Sequence, residues 1–329
     1  MTIDIVVTTR NRVDRLRRLL ESLRTAKRPR ALGVRVLVAD NHSSDRTADM
    51  VRASAPIHGV RPLYLHEPRL GKSYALNQAL GSVTADLVGL LDDDERVAPG
   101  WLTALFQVFQ DESVGFISGP CRPEWGAPPP PWLPSAYPAV IGWVDGGPRV
   151  AEYHTEYAGS MMGGNAVIRS AWVARVGGFD TRLGRFGAAP GVGEDADYYE
   201  RLIAAGARGL YVPDLAIDHY VPPERLAKSY YRRWVFRRGE ALARIHRARP
   251  QPVPYVLGVP RYMVGSAARG VVKRARGLAT PGGDAGQAFG GELSAWELAG
   301  FVWARLRGFE RQSAPPDQRA AARRAAGSA

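Results

Sequence analysis

The chain has 329 residues, 45% apolar and 23% charged, a balance that excludes a mostly disordered protein and allows two domains or one large domain with an appendage. Its single cysteine, Cys121, excludes an intramolecular disulfide and a cysteine-rich zinc site and suits a reducing compartment. The formal net charge of +12 sits entirely in the last third: Val221 to Ala329 holds 20 Lys and Arg against 7 Asp and Glu, whereas Met1 to Tyr220 holds 24 against 25.

A basic tail favours anionic partners, phosphate backbones or anionic lipid head groups. Arginine outnumbers lysine 40 to 4, however, and Ala and Gly are abundant, so compositional bias competes with function as the source of that charge. No basic segment precedes a long apolar run at the N-terminus, and no apolar stretch reaches the length of a spanning helix; neither a secretory signal nor a membrane span is expected.

In chain order, Ile3–Thr9 is rich in β-branched residues and predicts a buried strand. Asn11–Ala26 repeats Val13, Leu16, Leu19, Leu20 and Leu23 at helical spacing. Val34–Asp40 predicts a second strand, and Ser44–Ala53 a short helix with Ser43 or Ser44 as N-cap. Leu63–His66 predicts a third strand, and Lys72–Gly81 a helix ended by its glycine. Asp86–Leu91 is an apolar strand that runs into Asp92, Asp93 and Asp94. Pro99–Phe109 opens with proline and predicts a helix, and Val114–Ser118 closes the series. Glu124–Pro138 reads as a Pro- and Trp-rich loop, because Pro128–Pro131 fit neither a sheet nor a helix interior. Ser160–Ser170, Gly193–Gly206 and Gly209–Ile217 read as loop and strand, helix, and strand. After Pro222-Pro223 the pattern changes to a basic, aromatic helical stretch, Glu224–Ala248, and from about Ser313 disorder is expected.

Strands alternating with helices imply an α/β fold with a mostly parallel sheet covered on both faces. Ligands in such sheets bind beyond the C-terminal strand ends. The polar clusters fall there: Thr8-Thr9-Arg10-Asn11 after the first strand, Asp40-Asn41 after the second, and Asp92-Asp93-Asp94 after the fourth. Three adjacent carboxylates repel one another and call for a cation, and hard oxygens suit Mg²⁺ or Mn²⁺; a solvated acidic turn is the plainer alternative. Glu194-Asp195 opens a helix, where a carboxylate serves as a cap or as a general base. His219 follows an apolar strand and is either a structural histidine or a ligand. Gly71-Lys72-Ser73 is not a phosphate loop, since His66 stands where that motif needs glycine, but Lys72 begins a helix whose N-terminus favours anions. Trp132 in the Pro-rich loop is a candidate stacking platform, or simply a buried tryptophan.

Several ordered motifs carry a family resemblance over roughly Ile3 to Gly239. They are Ile5–Asn11 (IVVTTRN), Val38–Thr47 (VADNHSSDRT), Leu70–Leu80 (LGKSYALNQAL), Leu90–Leu102 (LLDDDERVAPGWL), Gly163-Gly164-Asn165, Gly193–Gly206 (GEDADYYERLIAAG) and the late segment His219–Arg225. Together they resemble a family 2 glycosyltransferase of the GT-A, Rossmann-like fold. The resemblance implies inverting, metal-dependent transfer of a sugar from a nucleotide diphosphate sugar, a UDP-sugar being favoured, to an acceptor hydroxyl. Thr8, Thr9, Arg10, Asn11, Arg12, Asp40, Asn41, Lys72, Asp92 and Asp93 would contact the donor, with Asp40 at the base. Asp195, with Glu194 beside it, would be the catalytic base. Asp94, Asp92 and His219 would hold Mn²⁺ or Mg²⁺. Gly163, Gly164, Asn165 and Trp132 would lie on the acceptor side. Two departures from the family pattern, Val7 where proline is usual and His42 where glycine is usual, leave the base selectivity open.

The expected organisation is a catalytic domain over 1–224, a basic helical extension over 225–312 and a disordered tail over 313–329. The competing functions are a nucleotidyltransferase of related fold and a non-catalytic binder acting through the C-terminal third. Arg232, Arg233, Arg237 and Arg238 interleave there with Tyr230, Tyr231, Trp234 and Phe236, a basic-aromatic pattern that suits an anionic membrane surface. Nucleic acid is disfavoured because the catalytic-looking part is net acidic and carries no nucleic-acid motif. A cytoplasmic enzyme with peripheral contact to the inner face of the membrane is therefore expected, acting on a sugar, lipid-linked or small-molecule acceptor; the sequence leaves its oligomeric state open.

Overall fold

The computed structural model describes residues 1–159, 161–184, 193–279 and 284–307. The chain divides into two compact units, one of residues 1–127, 141–181 and 194–223, the other of 128–140, 182–193 and 224–329. The expected tail from Ser313, most of the glycine run before Glu194, and Ser160 lie outside the described residues.

The first unit runs β1 (Thr2–Thr9), α1 (Val13–Thr25), β2 (Gly33–Asp40), α2 (Thr47–Ala53), β3 (Leu63–His66), α3 (Lys72–Leu80), β4 (Leu87–Asp92), β5 (Glu95–Val97), α4 (Trp101–Val108), β6 (Val114–Ser118) and β7 (Cys121–Trp125). It continues with β8 (Ala151–Glu152), β9 (Asn165–Arg169), α5 (Ser170–Val176), α6 (Glu194–Ala204), β10 (Arg208–Tyr211) and β11 (Ile217–Val221). Eight strands form one sheet in the order β3-β2-β1-β4-β9-β6-β10-β8. β3, β2, β1 and β4 are parallel, as are β6 and β10, while β9 runs antiparallel between β4 and β6. A smaller sheet, β5-β11-β7, pairs Glu95 of β5 with His219 of β11.

Alternation along β1 sorts the core. Ile3, Ile5 and Val7 join Leu16, Leu19, Leu20 and Leu23 of α1 and Trp101, Leu102 and Leu105 of α4 in one buried cluster. Val6 faces the opposite cluster with Ala75, Leu76 and Ala79 of α3 and Tyr198 and Leu202 of α6. Both faces of the sheet are thus covered, which is what the apolar strands require.

Three boundaries differ from the sequence reading. The second helix starts at Thr47, and neither Ser43 nor Ser44 caps it. Their amides are taken by the strand-end turns instead: Ser43 N–H donates to Asp40 Oδ1 at 2.9 Å and Ser44 N–H to Asn11 Oδ1 at 2.7 Å. The expected strand over 209–217 is two strands in two sheets, β10 and β11, broken by the turn at Val212-Pro213-Asp214-Leu215, where proline has no N–H for a ladder. Glu124 lies in strand β7, not in a loop.

The second unit holds α7 (Lys228–Ala248), β12 (Tyr255–Val256), β13 (Val259–Pro260), α8 (Arg261–Ala279) and α9 (Ala285–Arg307). Helix α9 packs on both other helices through glycine: a Cβ at Gly300 would overlap the Phe236 carbonyl of α7, and one at Gly291 the Gly270 carbonyl of α8. The basic-aromatic stripe expected to face outward on α7 is largely spent inside this unit. Arg232 pairs with Glu292 at 2.5 Å, Arg238 with Glu297 and Arg237 with Glu240 at 2.7 Å. Tyr231 is buried, and Phe236 meets Trp296 and Trp303 edge-on. Amphipathic spacing was a sound reason to expect a helix there, but its polar face packs against a second helix that supplies the carboxylates.

Candidate active site

Parallel register brings the three polar strand ends side by side. Thr9 of β1 is paired with Asp40 of β2, and Thr8 with Asp92 of β4. Asn11, in the left-handed region at φ 52°, turns the chain out of β1, and its amide donates to Ser43 Oγ at 2.9 Å. Asp40 is buried, accepting from Ser43 N–H and, at 2.7 Å, from the Tyr64 hydroxyl. Burial and that bond to Asp40 push the Tyr64 hydroxyl up to about 12. Asn41 spends its amide on the neighbouring loop: Nδ2 donates to the Arg69 carbonyl at 2.6 Å, and Oδ1 accepts from Gly71 N–H at 2.8 Å. It therefore sets the start of α3, where Lys72 sits, rather than presenting a free amide to a ligand.

The three aspartates separate by role. Asp93 turns inward, where it accepts from Thr9 Oγ1 at 2.8 Å and from Arg12 at 2.7 Å. Burial pushes its carboxyl up to about 6 despite the guanidinium. Expected at the donor, it stands here as a buried brace between the acidic turn and the end of β1. Asp92 and Asp94 flank it. Asp92 is ion-paired with Lys72 Nζ at 2.9 Å, and Asp94 with Arg12 at 3.1 Å and Arg15 at 3.8 Å. Glu95, which the sequence reading passed over, is buried and accepts the Asp92 N–H at 2.8 Å. Burial and the charges of Asp92 and Asp94 hold its carboxyl well above the usual range. The signal was present as a fourth carboxylate in an unbroken run at a strand end.

Helix α6 brings Glu194 and Asp195 to the same place. Lys72 Nζ lies 3.5 Å from Glu194 Oε1, so one ammonium spans Asp92 and the first turn of α6. Burial and the charge of Asp195 push Glu194 up to about 7. Burial and Asp92 also raise Asp195, against the pull of Lys72 and a hydrogen bond from Gly163 N–H. That amide contact explains the glycine pair. A Cβ at Gly163 would overlap the Asp195 carboxylate, and one at Gly164 would overlap Glu95 Oε1. Gly163 and Gly164 thus let main chain approach two carboxylates directly.

His219 of β11 is buried, with Nδ1 3.0 Å from the Ile141 carbonyl and Nε2 3.6 Å from Asp94 Oδ1. A ring that donates Nδ1–H to a carbonyl presents Nε2 as an acceptor toward the carboxylate, an arrangement suited to a cation between them. Among the described residues no group of three His, Cys, Asp or Glu side chains forms a ready metal cage. One or two carboxylates with substrate phosphates and water are nonetheless enough for Mg²⁺-type sites, so the donor set fits such an ion.

Two residues expected on the acceptor side make contacts of their own within the protein. Asn165 is fully buried; its Oδ1 accepts from Trp101 Nε1 at 2.9 Å, and its Nδ2 donates to the carbonyls of Leu215 at 2.7 Å and Pro120 at 3.2 Å. With both N–H bonds used and the side chain fully buried, the amide is an internal brace. Asn165→Ala leaves an indole N–H and two carbonyls without it, and a loss of about 3 kcal/mol is expected, read by urea melts; a loss below about 1 kcal/mol would remove the brace. Trp132 belongs to the second unit and meets Phe289 and Tyr231 edge-on at 5.1 and 5.7 Å, with Lys228 Nζ 5.5 Å from its ring centre. Its ring is thus part of an aromatic cluster within that unit.

The sequence model of the family described as glycosyl transferase family 2 matches residues 4–175. The succinoglycan biosynthesis protein ExoM of Rhizobium meliloti is 30% identical over 246 residues, 74% of each chain. The pre-mycofactocin glycosyltransferase of Mycobacterium tuberculosis is 30% identical over 237 residues, 66% of this chain and 42% of that longer protein. Among solved structures, the mannosyltransferase PcManGT from Pyrobaculum calidifontis, in complex with GDP-Man and Mn²⁺, superposes with a TM-score of 0.59 at 19% identity, over 93% of this chain and 87% of that one. S. aureus TarS 1–349 gives 0.52 at 14% identity over 94% and 93%. The fold they share is the GT-A arrangement of strand ends described above. With more than half of its length matched by the family and the carboxylates gathered where the sheet ends, the chain belongs to glycosyl transferase family 2 and is a glycosyltransferase.

Proposed function

We propose that the enzyme transfers a sugar from a nucleoside diphosphate sugar to an acceptor hydroxyl with inversion, Asp195 acting as general base. The observation that carries this reading is the Asp195 carboxylate itself. It is half-buried, held by the Gly163 amide, raised by burial, and linked through Lys72 to Asp92 at the end of β4. A base that must meet an acceptor needs to be reachable, and Asp195 is more open than Glu194, which is 5% exposed. Glu194 instead shares Lys72 and keeps the ammonium between the two acidic segments.

The donor would lie over the strand ends. Asp40, the last residue of β2, would meet the nucleobase, with Thr8, Thr9, Asn11 and Arg12 at the adjoining end of β1. Arg10 Nε is buried without a hydrogen-bond partner among the described residues, a donor that a substrate oxygen would satisfy. Asp92 and Asp94, with His219 alongside Asp94, would hold the divalent ion, which supplies positive charge against the diphosphate leaving group. Lys72 supplies charge from the protein at the same place. The Mn²⁺ and GDP-Man of the mannosyltransferase of like fold support a divalent ion and a nucleotide-sugar donor; the base this chain selects is for experiment to read.

Thermal melts with UDP, GDP, dTDP and CDP, each with and without Mn²⁺, test the donor site. One nucleotide is expected to stabilise the protein only with Mn²⁺, by about 2.7 kcal/mol at a hundred times its Kd. Failure of all four to shift a cooperatively melting protein would overturn the reading.

A further inference from the structure

We infer that the tip of the β12–β13 hairpin and the outer side of α8 form a surface that docks on an anionic lipid bilayer. The inference concerns the second unit alone and stands independently of the donor and base assignments. The hairpin turn is Leu257-Gly258, both in the left-handed region, with Leu257 at φ 49°. A leucine rarely adopts that backbone, and here it is 95% exposed. The tip therefore holds a large apolar side chain in a costly conformation with nothing against it, and Val256 and Tyr255 beside it are exposed as well.

The hairpin leads directly into α8, whose sides separate by chemistry. Met263, Ala267 and Gly270, at i, i+4 and i+7, are buried, with Gly270 against Gly291 of α9. Val264, Ala268, Val271, Val272 and Ala275 follow the same helical spacing on another side and are all exposed. Arg269, Lys273 and Arg276 form an exposed basic row beside them. From 249 to 279 there are six Arg and Lys and no Asp or Glu. Basic residues bordering an exposed apolar stripe are the pattern of a helix lying in a membrane interface, and the charge selects an anionic one. No helix among the described residues is long and apolar enough to cross a membrane. The stripe on α7 is no competitor, because glutamates of α9 and of α7 itself neutralise most of its arginines.

The test uses the full chain and vesicles of phosphatidylcholine with or without 30% phosphatidylglycerol, an amount chosen to mimic roughly an anionic leaflet. Co-sedimentation with the anionic vesicles is expected, falling at least tenfold in the double variant Leu257→Asp, Val271→Asp and unchanged in Val150→Asp, an exposed valine of the first unit. All these positions are exposed, so the melting temperature should hold. Cys121, the native cysteine, is buried, so Leu257→Cys adds one accessible thiol for an environment-sensitive dye. Its emission should shift to the blue with anionic vesicles and stay put with neutral ones. Absence of binding at low salt, binding untouched by the double variant, or a wild-type dimer that Leu257→Asp dissociates without any vesicle binding would each overturn the inference, the last in favour of a second copy.

Discussion

Asp195→Asn is expected to lower kcat by roughly 10²- to 10⁴-fold, the usual contribution of a positioned general base, while donor affinity stays within about threefold. The substitution is nearly isosteric, and the Gly163 N–H that donates to the carboxylate still finds an amide oxygen. On the proposed reading, what is removed is the capacity to take the acceptor's proton. The pH dependence gives a second readout. Burial and Asp92 raise the Asp195 carboxyl, so the base is lost on acidification at a higher pH than for an ordinary aspartate. The wild-type log(kcat/KM) should bend downward as pH falls through that raised value, and the asparagine variant should lack the bend. Any acceptor that the unaltered enzyme glycosylates serves for the measurement. Glu194→Gln is the necessary companion, since Glu194 is pushed up to about 7 and lies against the same lysine. A larger loss of kcat from Glu194→Gln than from Asp195→Asn would transfer the role to Glu194.

The strand–helix alternation and its polar strand ends were legible in the sequence because they depend on local pattern. Ile3–Thr9 and Val34–Asp40 are too β-branched to read otherwise, and Leu16, Leu19, Leu20 and Leu23 fit only a helix. Less legible was which polar side chain faces a ligand and which braces the protein. Asn165 and Asp93 stand in motifs that read as substrate contacts, yet each is consumed by partners far away in the chain: Trp101 and Leu215 for the first, Arg12 and Thr9 for the second. Such choices follow from tertiary register, as when β5 pairs with β11 and sets Glu95 opposite His219. The same holds on α7, where the helical period was plain but the glutamates of α9 that meet its arginines were not.

Arg12→Ala should cost on the order of 3–5 kcal/mol of stability, because it strips a cation from two carboxylates already withdrawn from water. Asp93 and Asp94 have side chains 4% and 3% exposed, and Arg12 reaches both, at 2.7 and 3.1 Å. The apparent melting temperature should drop by roughly 10 °C. The pH dependence of that drop distinguishes lost charge compensation from lost packing. In the native protein burial raises Asp93 from the usual 3.8 to about 6, with Arg12 pulling it down. A carboxyl raised on folding favours the fold when protonated; that contribution is complete below 3.8 and is lost as pH rises through about 6. Removing Arg12 raises the folded value further and leaves the unfolded value alone. Near pH 5 Asp93 is largely protonated with or without Arg12, so the two proteins differ least there. At pH 8 the wild type holds an ionised, paired Asp93, whereas the variant must bury an unpaired charge or retain a proton against the solvent. The deficit should therefore widen between pH 5 and pH 8, and Arg12→Lys, which keeps the charge but not the forked donor, should fall between the two. Urea melts at both pH values decide the matter: an equal deficit at pH 5 and pH 8 would mean that Arg12 contributes through packing and not through the carboxylates it joins.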